Sequence, residues 1–102
     1  MEIIINDNKQ FNVQLIGRLD ANTAPDLQDV LTKQYINTNC NKNIIFDCSG
    51  LEYLSSAGLR IIVSMLKYAD SKNASIKLVN VNDEVYEIFQ ITGFADVLNI
   101  RQ

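Results

Sequence analysis

The sequence predicts an α/β domain: a mixed or parallel β-sheet of about five strands with about three main helices. Three observations predict it. Short apolar runs rich in β-branched residues alternate with stretches of helical periodicity, in the order β-β-α-β-α-β-α-β. Clusters of Asn, Asp, Ser and Gly separate the runs and act as turns. Finally, 102 residues with 47% hydrophobic content suit one globular domain, residues 1–102, with a modest core. No internal repeat, linker or low-complexity tract interrupts the chain.

Glu2 to Ile5 reads as a first short strand, followed by the turn formers Asn6 to Lys9. Gln10 to Leu19 resumes as a second strand. Phe11, Val13 and Leu15 alternate there with Asn12 and Gln14, as in a half-buried strand, so the pair reads as a hairpin. Gly17 to Asp20 ends that strand in a turn. Thr23 is the predicted N-cap of the first helix, Pro25 fits its first turn, and Asp26 completes an imperfect capping box. Leu27, Val30, Leu31 and Gln34 define the helix face, the first three being apolar. Asn37 to Asn43 (NTNCNKN) reads as an exposed exit loop without chemistry.

Ile44, Ile45 and Phe46 make a short buried strand. Asp47-Cys48-Ser49-Gly50 is expected to break it, and Leu51 and Leu54 to fold the resulting loop back over a core. Ser55 and Ser56 then precede an apolar-periodic run. A serine there is a natural N-cap, accepting from the free amides of the first helical turn. The second helix is predicted from about Ser56 to Ala69, with Leu59, Ile62, Val63, Leu66 and Ala69 on the core face. Ile61, Met65 and Tyr68 fall on an adjoining flank, and Arg60, Ser64 and Lys67 are the polar remainder. So wide an apolar arc implies either a neighbouring helix over the flank or a docking surface.

Asp70 to Asn73 closes that helix. Ala74 to Asn80 reads as a strand, with Ile76, Leu78 and Val79 as candidates for burial. Asn82 or Asp83 caps a third helix in which Val85, Ile88 and Phe89 recur at helical spacing, and Gly93 stops it. Ala95 to Ile100 is the predicted last strand. The expected core includes Leu15, Ile45, Phe46, Leu59, Ile62, Val63, Leu66, Leu78 and Phe89.

Composition excludes several function classes. A net charge of −3 argues against direct nucleic-acid binding. With no histidine and two cysteines there is no metal-ligand cluster and no Ser-His or Cys-His nucleophile. Neither GxGxxG nor GxxxxGK[ST] is present to cradle a nucleotide phosphate. Asp47 and Glu52 read as structural or solvated carboxylates, Asp47 supporting the loop that holds Ser56, and Cys48 reads as core. An enzyme and a cofactor are therefore not expected. MEIIINDNKQ lacks the pattern of a signal peptide, and no apolar run is long enough to insert into a membrane. The expected location is cytoplasmic, with Cys40 and Cys48 as reduced thiols.

The string Asp47 to Arg60, DCSGLEYLSSAGLR, resembles the signature of the STAS domain (sulfate transporter and anti-sigma-factor antagonist), as found in small single-domain bacterial anti-sigma-factor antagonists. There a strand ending in Asp-x-Ser leads to a Ser-(Ser/Thr/Ala)-Gly-Leu helix start. The resemblance implies a STAS-type fold and an anti-anti-sigma factor. In that family the serine two residues before the glycine is phosphorylated by an anti-sigma-factor serine kinase. Here that position is Ser56, followed by Gly58 and Leu59. Many members have Asp just before it. This chain has Ser55, which becomes the second candidate. Gly17-Arg18-Leu19-Asp20 is similar to the family's Gly-Glu-Leu-Asp, whose Asp lies close to the phosphoacceptor, so Asp20 is a secondary candidate able to accept from a serine hydroxyl. Phe89 to Phe94 resembles the closing Thr-Gly-Leu segment.

The resemblance implies partner switching. The unphosphorylated antagonist binds the kinase and frees the sigma factor, phosphorylation releases it, and a metal-dependent phosphatase of PP2C type restores it. The expected partner surface comprises Asp20, Ser55, Ser56, Ala57, Gly58, Arg60, Ile61 and Met65. Glycine in a first helical turn costs up to ~1 kcal/mol relative to alanine, so Gly58 is expected to admit a partner backbone. Two alternatives stand beside this reading. One is an adaptor subunit binding the ATPase of a lipid-type ABC transporter, with Ser56 needed only for docking. The other is a small module binding a nucleotide or lipid directly.

Overall fold

Glu2–Asp7 (β1) and Phe11–Leu19 (β2) form an antiparallel hairpin in which Ile3 lies opposite Leu15 and Ile5 opposite Val13. In the computed structural model, which describes Met1–Gln102, three more strands follow: β3 (Ile44–Leu54), β4 (Ile76–Val79) and β5 (Asn99–Ile100). The sheet order is β1-β2-β3-β4-β5, and each pairing after the hairpin is parallel. Parallel neighbours need crossovers. Helices α1 (Ala24–Leu31), α2 (Ser56–Ser71) and α3 (Asp83–Ile91) supply them. This is the mixed α/β sheet with three helices that the sequence predicts.

Strand alternation builds the core. Phe11, Val13 and Leu15 from β2, Ile44 and Phe46 from β3, and Ile76 and Leu78 from β4 are buried. They pack in one cluster with Leu27 and Leu31 of α1, Ile62 and Met65 of α2, and Val85 and Phe89 of α3. The intervening residues face the other side of the sheet, where Asn12, Gln14 and Asp47 join Asn6 and Asn8 in a shallow polar depression. Ile45 belongs to that alternate set and is half-buried, not core as expected.

β3 departs most from expectation. It does not break at Asp47-Cys48-Ser49-Gly50 but continues to Leu54, held by β2. Gln14 pairs with Asp47, Ile16 with Gly50, and Arg18 with Tyr53, so the register slips by one residue between Gln14 and Ile16 and again between Gly17 and Arg18. Each slip is a bulge that places an extra residue on β3. The inward residues follow suit: Ile44, Phe46 and Cys48 at spacing two, then Leu51 and Leu54 at spacing three. The turn-forming tetrapeptide is thus spent on bulges. Opposite them Gly17 adopts φ +104°, a conformation glycine takes without strain.

Three further differences have local causes. α1 runs on into a π-helical turn, Thr32–Ile36, which brings Tyr35 into the core and leaves Gln34 exposed. The Tyr35 ring meets Phe11 edge-on at 5.1 Å, and its hydroxyl donates to the Lys42 carbonyl at 2.6 Å. Burial pushes this phenol up to about 12. Thr23 occupies the N-cap position but caps nothing, because its hydroxyl donates back to the Arg18 carbonyl at 2.8 Å. The last strand shrinks from the expected Ala95–Ile100 to two residues, because Val97 and Leu98 amides turn back onto the Phe94 carbonyl.

Candidate functional site

The two adjacent serines occupy different environments. Ser55 is the N-cap of α2, in extended backbone at φ −91°, ψ 170°, and its Oγ accepts from the Gly58 amide at 3.2 Å. Its own amide donates to the Leu19 carbonyl at 2.8 Å, and its carbonyl accepts from Leu59 at 2.9 Å. Ser55 is therefore fixed on both sides. Ser56 is the first residue of α2, is exposed, and its hydroxyl is free of hydrogen bonds. The amides of Ser56 and Ala57 have no intrahelical carbonyl, as in any first turn. Together with the helix dipole they favour negative charge at this end.

Gly58 is buried, and its role differs from the expected one. A Cβ placed on it would stand 2.5 Å from Leu19 Cγ and 3.0 Å from the Leu19 carbonyl oxygen. The missing side chain lets α2 start hard against the end of β2. The close approach is internal, so Gly58 is removed from the expected partner surface. Met65 is removed as well: it is 1% exposed and belongs to the core. Tyr68, on the same flank, meets Tyr35 at 6.0 Å between ring centroids. Of the two explanations for the wide apolar arc, a neighbouring element covers this flank. Ala57 and Ile61 are half-buried and Arg60 is exposed.

Asp20 does not bond either serine. Its carboxylate accepts from the amides of Asn22 at 3.0 Å and Thr23 at 3.2 Å. It shapes the turn between β2 and α1, which the Leu19–Ser55 bond places beside the start of α2. Asp47 likewise sits away from Ser56. It accepts from the Ser49 amide at 3.0 Å and from Asn80 Nδ2 at 3.1 Å, bracing β3 against the end of β4. Burial pushes its carboxyl up, but the hydrogen bonds from Asn80 and Ser49 win and hold it below the usual carboxylate range. Cys48 is buried as expected, and burial followed by the Asp47 charge pushes its thiol up to about 12. It is an inert core thiol.

One feature at the site was missed from sequence. Ser56, Leu59, Arg60, Val63 and Phe94 line a cleft of about 210 Å³. A second depression of about 400 Å³ continues it along Val63, Leu66, Lys67, Asp70, Phe94 and Val97. Val63 and Leu66 are accordingly half-buried, where full burial was expected. The signal was their position at the edge of the core arc, combined with Phe94 and Val97 after the Gly93 stop. No helix is long and apolar enough to cross a membrane.

Comparison with known proteins agrees with this architecture. An anti-sigma-B factor antagonist of Staphylococcus aureus (strain NCTC 8325 / PS 47) is 27% identical over 95 residues, covering 93% of this chain and 86% of the relative. The crystal structure of a putative anti-sigma factor antagonist from Thermotoga maritima superposes with a TM-score of 0.82 at 24% identity, covering 99% of this chain and 85% of that one. The Bacillus cell fate determinant SpoIIAA in its phosphorylated form superposes with a TM-score of 0.74 at 14% identity, covering 99% and 92%. At these identities the two structures report the fold. Residues 3–102 match the STAS domain over almost the full sequence, and the chain belongs to that family.

Proposed function

We propose that this protein is an anti-sigma-factor antagonist switched by phosphorylation of Ser56. The unphosphorylated form binds an anti-sigma-factor serine kinase in the cytoplasm and frees the sigma factor. Ser56 Oγ bonds to the γ-phosphorus of ATP on the kinase as the bond to the β-phosphate oxygen breaks, and ADP leaves. The hydroxyl proton passes to a base of the kinase or to solvent, and the modified protein dissociates. A PP2C-type phosphatase restores it. The role is regulatory, not catalytic.

The observation that carries this reading is the asymmetry of the serine pair. Ser55 is committed to capping α2, whereas Ser56 offers an exposed, unbonded hydroxyl at a helix start suited to added negative charge. The name of the Staphylococcus relative and the existence of a phosphorylated form of SpoIIAA support it. The remaining surface around Ser56 is Ala57, Arg60 and Ile61, with the Asp20 turn alongside.

The test is incubation with a co-encoded kinase and ATP, followed by intact-mass measurement and site mapping. One phosphate on Ser56 is expected, absent from Ser56→Ala and present in Ser55→Ala. Phosphate on Ser55 would move the switch by one residue. If neither serine is modified and Ser56→Asp binds like wild type, a constitutive adaptor replaces the switch.

A further inference from the structure

Arg60 stands four residues beyond Ser56 on α2, so both side chains share one helix face a single turn apart. Both are exposed, and both line the cleft completed by Leu59, Val63 and Phe94. Arg60 is the one charged residue of that lining. Its guanidinium is uncommitted: the ion pairs of the fold use Arg18, Lys33 and Lys42 instead. An anion appearing on Ser56 therefore meets a free cation one turn along its own helix, across an apolar floor.

We propose that phosphoserine 56 is held by Arg60 of the same helix, the guanidinium swinging back one turn to donate to the phosphate oxygens. This rests on the reading of Ser56 as phosphoacceptor and adds an internal receptor for the phosphate. A phosphoserine carries about −1.5 to −2 charge, and arginine matches its oxygens with a planar fork of donors. The pairing has two consequences. It lets the domain carry the modification without unfolding. It also draws Arg60 across the mouth of the cleft, so one phosphorylation removes both a free hydroxyl and a free cation from the surface around α2.

The test uses full-length protein with phosphoserine installed at position 56 during synthesis, so that it does not depend on any kinase. The phosphate is titrated by ³¹P NMR in the Arg60, Arg60→Gln and Arg60→Lys proteins. Its second pKa, ordinarily about 6, should lie about 0.2–0.4 unit lower with Arg60 than with Gln. Lys should fall between them, and molar salt should shrink the difference. Arg60→Gln should lower the melting temperature of the phosphorylated protein alone, since Arg60 is unpaired before modification. Identical titrations for Arg60 and Gln, or equal melting losses with and without phosphate, would overturn the pairing. If the titrations differ but no co-encoded kinase modifies Ser56, the pairing stands and the phosphorylation switch falls.

Discussion

Leu19 and Gly58 fit together: the Leu19 side chain occupies the place where a Cβ on Gly58 would go, 2.5 Å from Leu19 Cγ. The same residue's carbonyl takes the Ser55 amide at 2.8 Å. The end of β2 thus sets where α2 begins, and with it where the Ser56 hydroxyl stands.

Gly58→Ala should therefore destabilise the protein, although alanine in an open helix would gain up to ~1 kcal/mol. Overpacking against backbone and a buried leucine costs about 1–3 kcal/mol. Denaturant unfolding should show the loss, and Leu19→Ala in the same chain should reduce the additional cost of the methyl group. A Gly58→Ala protein as stable as wild type would show that the contact yields without strain.

The serine pair should separate by stability as well as by modification. Ser55→Ala removes the cap bond to the Gly58 amide and should cost about 1 kcal/mol. Ser56→Ala removes an unbonded, exposed hydroxyl and should fall within about 0.5 kcal/mol of wild type. Thermal melts of the two variants side by side decide this. Equal losses would mean that capping is shared.

Met65 tests the orientation of α2. Met65→Asp places a charge in the core and should cost upwards of ~3 kcal/mol, a large share of the ~5–15 kcal/mol that holds a domain of this size. Val97→Asp, at a residue 61% exposed beside the second depression, should leave unfolding nearly unchanged. Circular dichroism with urea titration distinguishes them. Two stable variants would return Met65 to the surface.

These contrasts mark how far the sequence could be read. The alternation of Phe11, Val13 and Leu15 and the capping chemistry of the Ser55-Ser56 and Asn82-Asp83 pairs are local signals, and the structure follows them, with Ser55 and Asn82 as the caps. The long β3 is not a local property. Asp47 to Gly50 carries turn propensity, and only pairing with β2 converts it into bulged strand. Tyr35 was hidden by a π-helical turn that breaks the 3.6-residue period. Helical spacing alone put Met65 beside Ile61 on a flank, because it does not tell which side of an apolar arc meets Tyr35 and which is left beside Phe94.

Alkaline stability should report the buried thiol. Cys48 is raised from its ordinary 9.0 to about 12, chiefly by burial. A raised pKa means that the folded state prefers the protonated form. That contribution is whole below about pH 9 and is lost as pH rises toward 12, where the unfolded chain already carries thiolate. Tyr35, raised from 10.0 to about 12, acts in the same direction. Cys48→Ala should thus lose less stability than wild type between pH 9 and pH 11, though it starts lower because of the missing sulfur. Parallel slopes for the two proteins over that window would refute the assignment.

Ser56→Asp should pull stability and affinity apart. The carboxylate sits at the first position of a 16-residue helix, where negative charge is worth about 0.3–1 kcal/mol, and four residues before the unpaired Arg60. The variant should melt slightly above wild type at low salt and lose that gain as salt rises. Toward the kinase proposed as its partner it should behave oppositely. Charge placed on a surface that docks with a neutral hydroxyl must be desolvated without a matching cation on the docking protein, and a loss of about 3 kcal/mol weakens binding more than a hundredfold. Calorimetric titration of wild type, Ser56→Ala and Ser56→Asp against the kinase, beside their melting curves, tests both halves. Ser56→Ala should bind like wild type, because Ser55 and not Ser56 holds the helix start. An Asp variant that binds poorly because it has unfolded would leave Ser56 as a structural residue. One that is folded, slightly stabilised and weakly bound places the switch in the contact surface itself.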